Sequence, residues 1–168
     1  MAVAMKSAVW PQAPIQQEVK DLVYRFFALV DQNRAGVGEE LASNVFTSDG
    51  IFAGSVGTFK GTAGMCCTCV GPTVCRETDC LARKELKTCR DQAWTGSLAT
   101  RRHEVERVFI NDAEEVDLVI VGSMTASTRD GEESTHSFLA RALLRGQDGK
   151  PKIRRYQVLI SGAKGLLE

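Results

Sequence analysis

The sequence predicts an α+β fold, with helices packed against one strongly curved antiparallel sheet. Apolar residues near the amino terminus recur at every third or fourth position, which is the spacing of an amphipathic helix. The last third alternates apolar and polar residues in four runs separated by short turns, which is typical of strands. Because helical and strand segments do not alternate along the chain, an α+β arrangement is favoured over a parallel α/β sheet.

Length and charge limit the classes of function. A chain of 168 residues corresponds to one domain, large enough to enclose a pocket. Its 21 Lys and Arg residues balance 21 Asp and Glu residues, so no basic surface is expected for nucleic acid or membranes. No apolar run approaches the ~20 residues that span a bilayer, and Lys6 interrupts the amino-terminal candidate for a signal sequence. These features predict a cytoplasmic protein that binds neither nucleic acid nor membranes.

The amino-terminal third is predicted to hold an arm and two helices. Prolines in residues 1–14 predict a flexible arm, which leaves residues 15–168 as the single domain. The first helix is predicted at Glu18–Asp31. Its apolar positions share one face: Val19, Leu22, Val23, Phe26, Phe27 and Val30. A second helix is predicted at Glu39–Phe46, ended by the segment Thr47–Gly50.

The middle of the chain combines a hairpin signature with an unusual insertion. Ile51–Lys60 reads as two short strands joined around Gly54–Gly57. A third helix should follow, but a Cys-rich stretch at about residues 65–80 interrupts it, and helical character resumes over Asp79–Gly96. Removing that stretch would leave one continuous helix. It is therefore either a genuine insertion or an artefact of the gene model, and the sequence leaves both open.

Six cysteines define this insertion and its surroundings. Five lie between Cys66 and Cys80, and Cys89 follows. A disulfide framework suits small secreted chains, whereas this chain shows no export signal. Structural zinc sites use paired ligands at repeated short spacings, which this cluster lacks. The cysteines are therefore predicted to be reduced thiols on a surface insertion, with no metal bound.

Four strands in the last third predict an antiparallel meander. They cover His103–Ile110, Glu115–Thr128, Glu132–Arg145 and Ile153–Ser161, and short turns join them. Alternation predicts that the inner face includes the following residues: Arg101, Val105, Arg107, Val116, Leu118, Ile120, Gly122, Met124, Phe138, Ala140, Ala142, Leu144, Tyr156, Val158 and Ile160. The small residues among them leave room for a flat apolar ligand. Val119 and Val121 point outward, and an apolar outer face suggests a dimer contact.

Asp31 and His103 are the candidate catalytic pair. The chain has only two histidines, His103 and His136, and imidazole is the side chain best suited to carry protons near neutral pH. If the fold brings Asp31 to His103, the carboxylate would fix the tautomer of the imidazole. If it does not, both are ordinary polar residues at the ends of their elements. His136 shares a strand face with Phe138 and could reach the pocket, but a place on the surface or at the rim is favoured. Arg101 is predicted either at the mouth of the pocket, holding an anion, or in solvent.

The order of several short motifs resembles the SnoaL-like branch of the nuclear-transport-factor-2-like (NTF2-like) superfamily. The motifs are Tyr24–Asp31, Phe46–Phe52, Gly57–Gly61, Thr100–Val105, Phe138–Ala142 and Tyr156–Val158. The resemblance covers about residues 16–162 without the Cys-rich stretch. It implies a cone-shaped α+β barrel around an apolar pocket, often in a homodimer. Members include polyketide cyclases, fungal polyketide and meroterpenoid isomerases, scytalone dehydratase, a dehydrochlorinase, ketosteroid isomerase and noncatalytic binding modules.

The resemblance also implies roles for individual residues. In the dehydratase and dehydrochlorinase types, an aspartate at the end of the first helix pairs with a histidine on the first meander strand, and Asp31 and His103 match those positions. Scytalone dehydratase carries further polar groups on its inner strands, whereas Ile120 and Ala140 are apolar here. Dehydration of that substrate is therefore not expected.

The resulting hypothesis is a cofactor-independent isomerase or cyclase, with a lyase as the related option, that acts on an apolar polyketide or terpenoid intermediate of secondary metabolism. His103 would be the general base and acid, with Asp31 as its partner. The predicted substrate-binding residues are Arg101, Tyr24, Tyr156, Phe27, Trp94, Ile120 and Phe138. The alternative is a noncatalytic NTF2-like module for binding or dimerisation.

Overall fold

The computed structural model describes residues 8–54, 57–61, 98–112 and 116–161. The predicted third helix, the Cys-rich stretch, all six cysteines and Trp94 lie outside these ranges. No helix within the described part of the chain is long and apolar enough to cross a membrane.

Helix α1 covers Gln17–Val30, close to the prediction. Its apolar face is buried through seven residues: Val19, Leu22, Val23, Phe26, Phe27, Leu29 and Val30. Helix α2 (Val37–Glu40) continues directly into a π-helical turn at Leu41–Val45. The predicted second helix therefore ends one residue early. Phe46 and the segment Thr47–Gly50 were predicted as a helix end and a turn, but they form the beginning of strand β1. Pairing with β6 in the sheet outweighs the local preference of these residues for a turn.

Within the described residues the sheet has six strands. They are β1 (Phe46–Gly54), β2 (Gly57–Lys60), β3 (Leu98–Asp112), β4 (Asp117–Thr128), β5 (Glu133–Gln147) and β6 (Lys150–Ile160). Their spatial order is β2-β1-β6-β5-β4-β3. The hairpin β1–β2 and the meander β3–β6 are antiparallel, whereas β1 pairs with β6 in parallel. The α+β fold class and the meander are thus confirmed, and the parallel pair makes the sheet mixed.

A β-bulge in β3 reverses which side chains face inward. Val105 pairs with Gly122, but the next partners are Arg107 with Val121, so Glu106 is the extra residue. Beyond it Val108 is buried, while Arg107 is exposed and lies over the Phe109 ring. The prediction that Arg107 shares the inner face with His103 is therefore wrong. Strict alternation holds only while the register of a strand is unbroken.

The bulge also depends on the absence of a side chain at Gly122. A Cβ at this position would lie 2.1 Å from the carbonyl oxygen of Glu104 and 2.9 Å from the ring of Phe138. The sequence predicted that Gly122 leaves room for a ligand. Instead, the aromatic ring of Phe138 occupies that space.

The outer edge of β3 is partly covered by chain from outside the sheet. Val9, within the predicted arm, forms a parallel bridge with Arg107. Its N–H donates to the Glu106 carbonyl at 2.9 Å, and its own carbonyl accepts from the Val108 N–H at 2.9 Å. An edge strand otherwise exposes a row of unpaired backbone groups. The same edge of β3, nearer its start, receives the end of helix α1.

Candidate active site

Asp31 is the residue that caps the carboxyl end of α1. Its backbone (φ −88°, ψ −5°) remains close to helical, and its N–H donates to the Phe27 carbonyl at 3.2 Å. The residue is therefore fixed by the last turn of the helix, and its side chain reaches the edge of the sheet. A carboxylate at the carboxyl end of a helix faces the negative end of the helix dipole, so it requires compensation by donors from outside the helix.

His103 supplies two of those donors. The Nδ1 atom of its ring lies 2.5 Å from Oδ1 of Asp31, and its backbone N–H donates to Oδ2 at 2.8 Å. The backbone group is available because β3 is the last strand of the described sheet, and the bridge from Val9 lies further along this edge, at Arg107. The carboxylate thus binds both the ring and the main chain of His103, which fixes the ring against the helix end.

Two phenylalanines enclose the imidazole. The ring centroid of His103 lies 5.3 Å from that of Phe27 and 5.5 Å from that of Phe138, and the two phenylalanines are 5.7 Å apart. The side chain of His103 is 12% exposed and that of Asp31 is 10% exposed. The pair is therefore nearly shielded from water, and electrostatic interactions within it are stronger than at a surface.

This geometry assigns a task to each ring nitrogen. A carboxylate can only accept hydrogen bonds, so Nδ1 of His103 carries the proton directed at Asp31. Proton exchange with a bound molecule then falls to Nε2. When Nε2 takes a proton, the adjacent carboxylate stabilises the resulting imidazolium. The arrangement is that of a general base and its orienting acid.

Arg101 lies two residues before His103 on the same strand. Its Nη2 donates to the carbonyl of Val30 at 2.5 Å, and its Nε lies 4.0 Å from Oδ1 of Asp31. Its side chain is 15% exposed, so it does not project into solvent. The guanidinium thus contacts both the end of α1 and the carboxylate that holds His103.

Tyr156 is a buried phenol on β6, with 3% of the residue exposed. Its ring stacks on that of Phe52 with the centroids 5.4 Å apart, and its centroid lies 4.5 Å from that of the Phe26 ring. Burial raises the pKa of its hydroxyl well above the ordinary value, while Arg101 lowers that pKa and Asp31 raises it through their charges. The phenol therefore stays protonated, and it lies close enough to feel both charges of the site.

The remaining predicted substrate-binding residues are distributed differently. Ile120 is 1% exposed within the core. Tyr24 lies against Trp10, whose indole N–H donates to the Tyr24 hydroxyl at 2.8 Å. Trp94 lies outside the described residues. The roles of these residues in binding stay predictions.

His136 occupies the same row of the sheet as His103. Both residues are cross-strand partners of Met124, one from each side. The Nδ1 atom of His136 lies 3.1 Å from the carbonyl of Ser161, and Nε2 lies 3.2 Å from Oγ of Ser134. Within the described ranges, no group of three or more His, Cys, Asp or Glu side chains could hold a metal ion.

Reasoning from sequence missed the contact between Arg101 and Val30. The partner is a backbone carbonyl 71 residues away, so no local pattern could have indicated it. The bulge at Glu106 was also missed, although the change of alternation from Val105 to Val108 is a visible signal for it.

Comparison with known proteins places the fold. A scan against protein-family models gives no match, and no curated protein matches significantly. Solved structures do match. A hexachlorocyclohexane dehydrochlorinase (LinA, type 2) aligns with a TM-score of 0.58 at 13% identity, covering 86% of this chain and 84% of that one.

Two further solved structures match over most of their length. An NTF2-like superfamily protein from Salmonella enterica serovar Typhimurium has a TM-score of 0.57 at 12% identity, covering 90% of this chain and 94% of that one. ActVI-ORFA from Streptomyces coelicolor has a TM-score of 0.54 at 16% identity, covering 86% and 96%. Identities this low report the fold alone. The chain has the α+β fold of the NTF2-like superfamily, as its sequence motifs predict.

Proposed function

We propose that this protein is a cofactor-independent isomerase or cyclase, or a related lyase, that moves protons on an apolar polyketide or terpenoid intermediate of secondary metabolism. The proposal rests on one observation, namely that the Asp31 carboxylate accepts hydrogen bonds from both the ring and the backbone N–H of His103. A carboxylate in this position fixes the imidazole tautomer and stabilises the imidazolium that forms when Nε2 takes a proton, which is the arrangement that supports a general base.

The surroundings of His103 favour an apolar substrate with one polar reacting centre. Phe27 and Phe138 line the imidazole, while Tyr156 is the buried hydroxyl near the site's charges. Apolar walls with few polar groups suit a flat hydrocarbon framework and select against charged metabolites. Among the structural neighbours, LinA is named as a hexachlorocyclohexane dehydrochlorinase.

The proposed chemistry begins when Nε2 of His103 removes a proton from a carbon next to a carbonyl. The electron pair of the broken C–H bond passes into the carbonyl to give an enolate. The Tyr156 hydroxyl is the donor suited to stabilise that oxygen, because it remains protonated. Return of the proton to a different carbon completes an isomerisation. Attack of the enolate carbon on a second carbonyl closes a ring, and the alkoxide that forms takes the proton from His103. Expulsion of a leaving group from the carbon next to the deprotonated one gives an elimination, and the proton passes from His103 to the leaving group or to water.

Proton abstraction can be tested without knowing the natural substrate. The protein is incubated in D₂O with benzoylacetone or 2-tetralone, whose acidic C–H groups exchange with solvent, and exchange is followed by NMR. Wild type should accelerate exchange, and His103→Gln or Asp31→Asn should lower the rate by about 10²-fold or more. His136→Gln is the matched control and should retain the wild-type rate. Equal rates for the wild type and both site variants would contradict the proposal.

The alternative is a noncatalytic binding module. Such a module would have the same fold and the predicted apolar pocket, so it predicts binding of the same probes without accelerated exchange. Binding of 2-tetralone to wild type and to His103→Gln with equal affinity, together with no acceleration by either, would favour this alternative.

We also propose that the protein forms a homodimer through the outer face of the meander. Leu139 and Leu159 are 47% and 54% exposed, and the strand register places them side by side with Val121 in one row. Phe109, 45% exposed, pairs with Val119 in the adjacent row. An apolar patch of this kind usually marks an interface.

The oligomeric state tests this part of the proposal. Light scattering after size-exclusion chromatography should give a dimer for wild type and a monomer for Leu139→Glu. Lys60→Glu, which changes an exposed residue on β2, should remain dimeric. A monomeric wild type would refute the dimer and leave the proposed chemistry standing.

A further inference from the structure

We infer that Arg101 is a positioning residue, which locks Asp31 and the end of α1 onto strand β3 and keeps His103 in the neutral form that can accept a proton before the reaction. It takes this role in place of the substrate-binding role that the sequence predicted. The inference rests on the proposed function of the Asp31–His103 pair, and it concerns how that pair is held and charged.

The first line of support is the contact with the helix end. Val30 is the last residue of α1, so its carbonyl is one of the four that have no partner within the helix. Arg101 donates to it through Nη2 at 2.5 Å. The last turn of α1 contains no basic residue of its own. Arg101 therefore supplies from the sheet the cation that stabilises the negative end of the helix dipole.

The second line of support is the shared carboxylate oxygen. Oδ1 of Asp31 is 2.5 Å from Nδ1 of His103 and 4.0 Å from Nε of Arg101. All three side chains are at most 15% exposed, so their charges act on one another through a medium of low polarity. The guanidinium is therefore directed at the helix end and the carboxylate.

The charges of the cluster indicate the consequence. With His103 neutral, Arg101 and Asp31 cancel each other. Protonation of His103 gives the cluster a net charge of +1, which the nearby guanidinium opposes. Without Arg101, the carboxylate would face His103 alone and would favour the imidazolium, which cannot act as a base. Arg101 thus keeps the resting imidazole available to accept a proton.

The other groups that face His103 from the described elements do not compete for this role. Met124 on β4 is uncharged, and His136 lies one strand further, on β5. Tyr156 on β6 remains a neutral phenol because burial raises its pKa. Among the described residues, Asp31 contacts the ring of His103 and Arg101 contacts Asp31, so we expect these two charges to act on the titration of His103.

Histidine NMR tests the inference directly, because the chain has only two histidines. Ring ¹⁵N and ¹³C signals of labelled protein are followed from pH 4 to 9, and His136→Gln assigns the two sets. In Arg101→Gln, we expect the pH of half-protonation of His103 to rise by about 1 unit. Arg101→Lys keeps the cation and should stay near wild type. The neighbouring Arg102, 66% exposed, gives the matched control Arg102→Gln, which should leave His103 unchanged.

A midpoint in Arg101→Gln that moves no further than in Arg102→Gln would overturn the inference. So would a large loss of affinity for 2-tetralone in Arg101→Gln with an unchanged His103 titration, since that is the behaviour of a substrate-binding residue. If Arg101→Gln does not fold, the Nε–H signal of Arg101 in wild type and Asp31→Asn decides. It should shift when the carboxylate is lost, and an unchanged signal would count against the inference.

The titration requires no turnover, so the inference and the proposed function can fail separately. A shifted midpoint in a protein that does not accelerate proton exchange would retain the role of Arg101 and refute the enzyme. Accelerated exchange with no shift would retain the enzyme and refute the role of Arg101.

Discussion

Replacing Gly122 by alanine should damage both the sheet and the site. Gly122 lies opposite Val105, next to the bulge in β3, and the Phe138 ring lies directly over it. That ring is one wall of the His103 imidazole, at 5.5 Å. A methyl group at position 122 therefore competes for space with the backbone of β3 on one side and with the Phe138 ring beside His103 on the other.

The size of the effect follows from the distance between the new Cβ and the Glu104 carbonyl oxygen. The new Cβ would lie 2.1 Å from the Glu104 carbonyl oxygen, whereas ordinary contact begins at 3.4 Å, so about 1.3 Å of separation is missing (3.4 − 2.1). The oxygen belongs to the backbone of a paired strand and cannot move without disturbing the ladder. Overpacking typically costs ~1–3 kcal/mol and occasionally more. We expect a loss of about 2–3 kcal/mol in the free energy of unfolding after the smaller entropic gain from removing a glycine.

Urea denaturation and thermal melting measure this loss. For a protein of this size, ~1 kcal/mol corresponds to roughly 2–4 °C in Tm, so Gly122→Ala should melt about 5–10 °C lower. Gly146→Ala is the matched control on β5, since a Cβ there meets nothing within 4 Å. It should be neutral or slightly stabilising. The His103 ring signals should also shift in Gly122→Ala and remain in place in Gly146→Ala.

Equal stability of the two alanine variants would refute this reasoning. It would mean that β3 and β4 separate at the bulge at little cost, so the close approach at Gly122 would not constrain the position of Phe138.

Two further predictions concern pH. The raised pKa of Tyr156 means that the folded protein retains a proton that the unfolded chain releases above about pH 10. The free energy of unfolding should therefore fall by about 1.4 kcal/mol per pH unit above that point. Urea denaturation of Tyr156→Phe at several pH values should not show this decrease. An equal decrease with pH in the wild type and in Tyr156→Phe would contradict the prediction. Asp117 behaves oppositely, because hydrogen bonds from Arg141 hold the pKa of its carboxyl below the ordinary value. Its contribution is present above about pH 4 and is lost on acidification. Asp117→Asn should lower the free energy of unfolding by roughly 1.5 kcal/mol at pH 7 and should reduce the further loss of stability on acidification. If this variant loses as much stability on acidification as the wild type, the loss comes from other carboxylates.

Periodicity in the sequence was sufficient for most secondary structure. The recurrence of Val19, Leu22, Val23 and Phe26 predicted α1 to within a residue at each end, because burying one helical face is the dominant stabilising term. Alternation and short turns predicted the antiparallel meander for the same reason. The parallel pairing of β1 with β6 was not predictable, since it joins segments about 100 residues apart.

The sequence by itself determined the α+β fold class, and it predicted an apolar inner face and singled out Asp31 and His103 as the candidate pair for proton transfer. It could not determine that they meet. The tertiary structure decided this, because the outward N–H of His103 at the sheet edge and the carboxylate at the end of α1 satisfy each other across 72 residues. It also decided that Arg101 contacts a backbone carbonyl and that Phe138 fills the space above Gly122. These contacts form at a sheet edge, a β-bulge and a helix end. The backbone groups left without partners there depend on how the elements assemble, so no periodic pattern in the sequence indicates them.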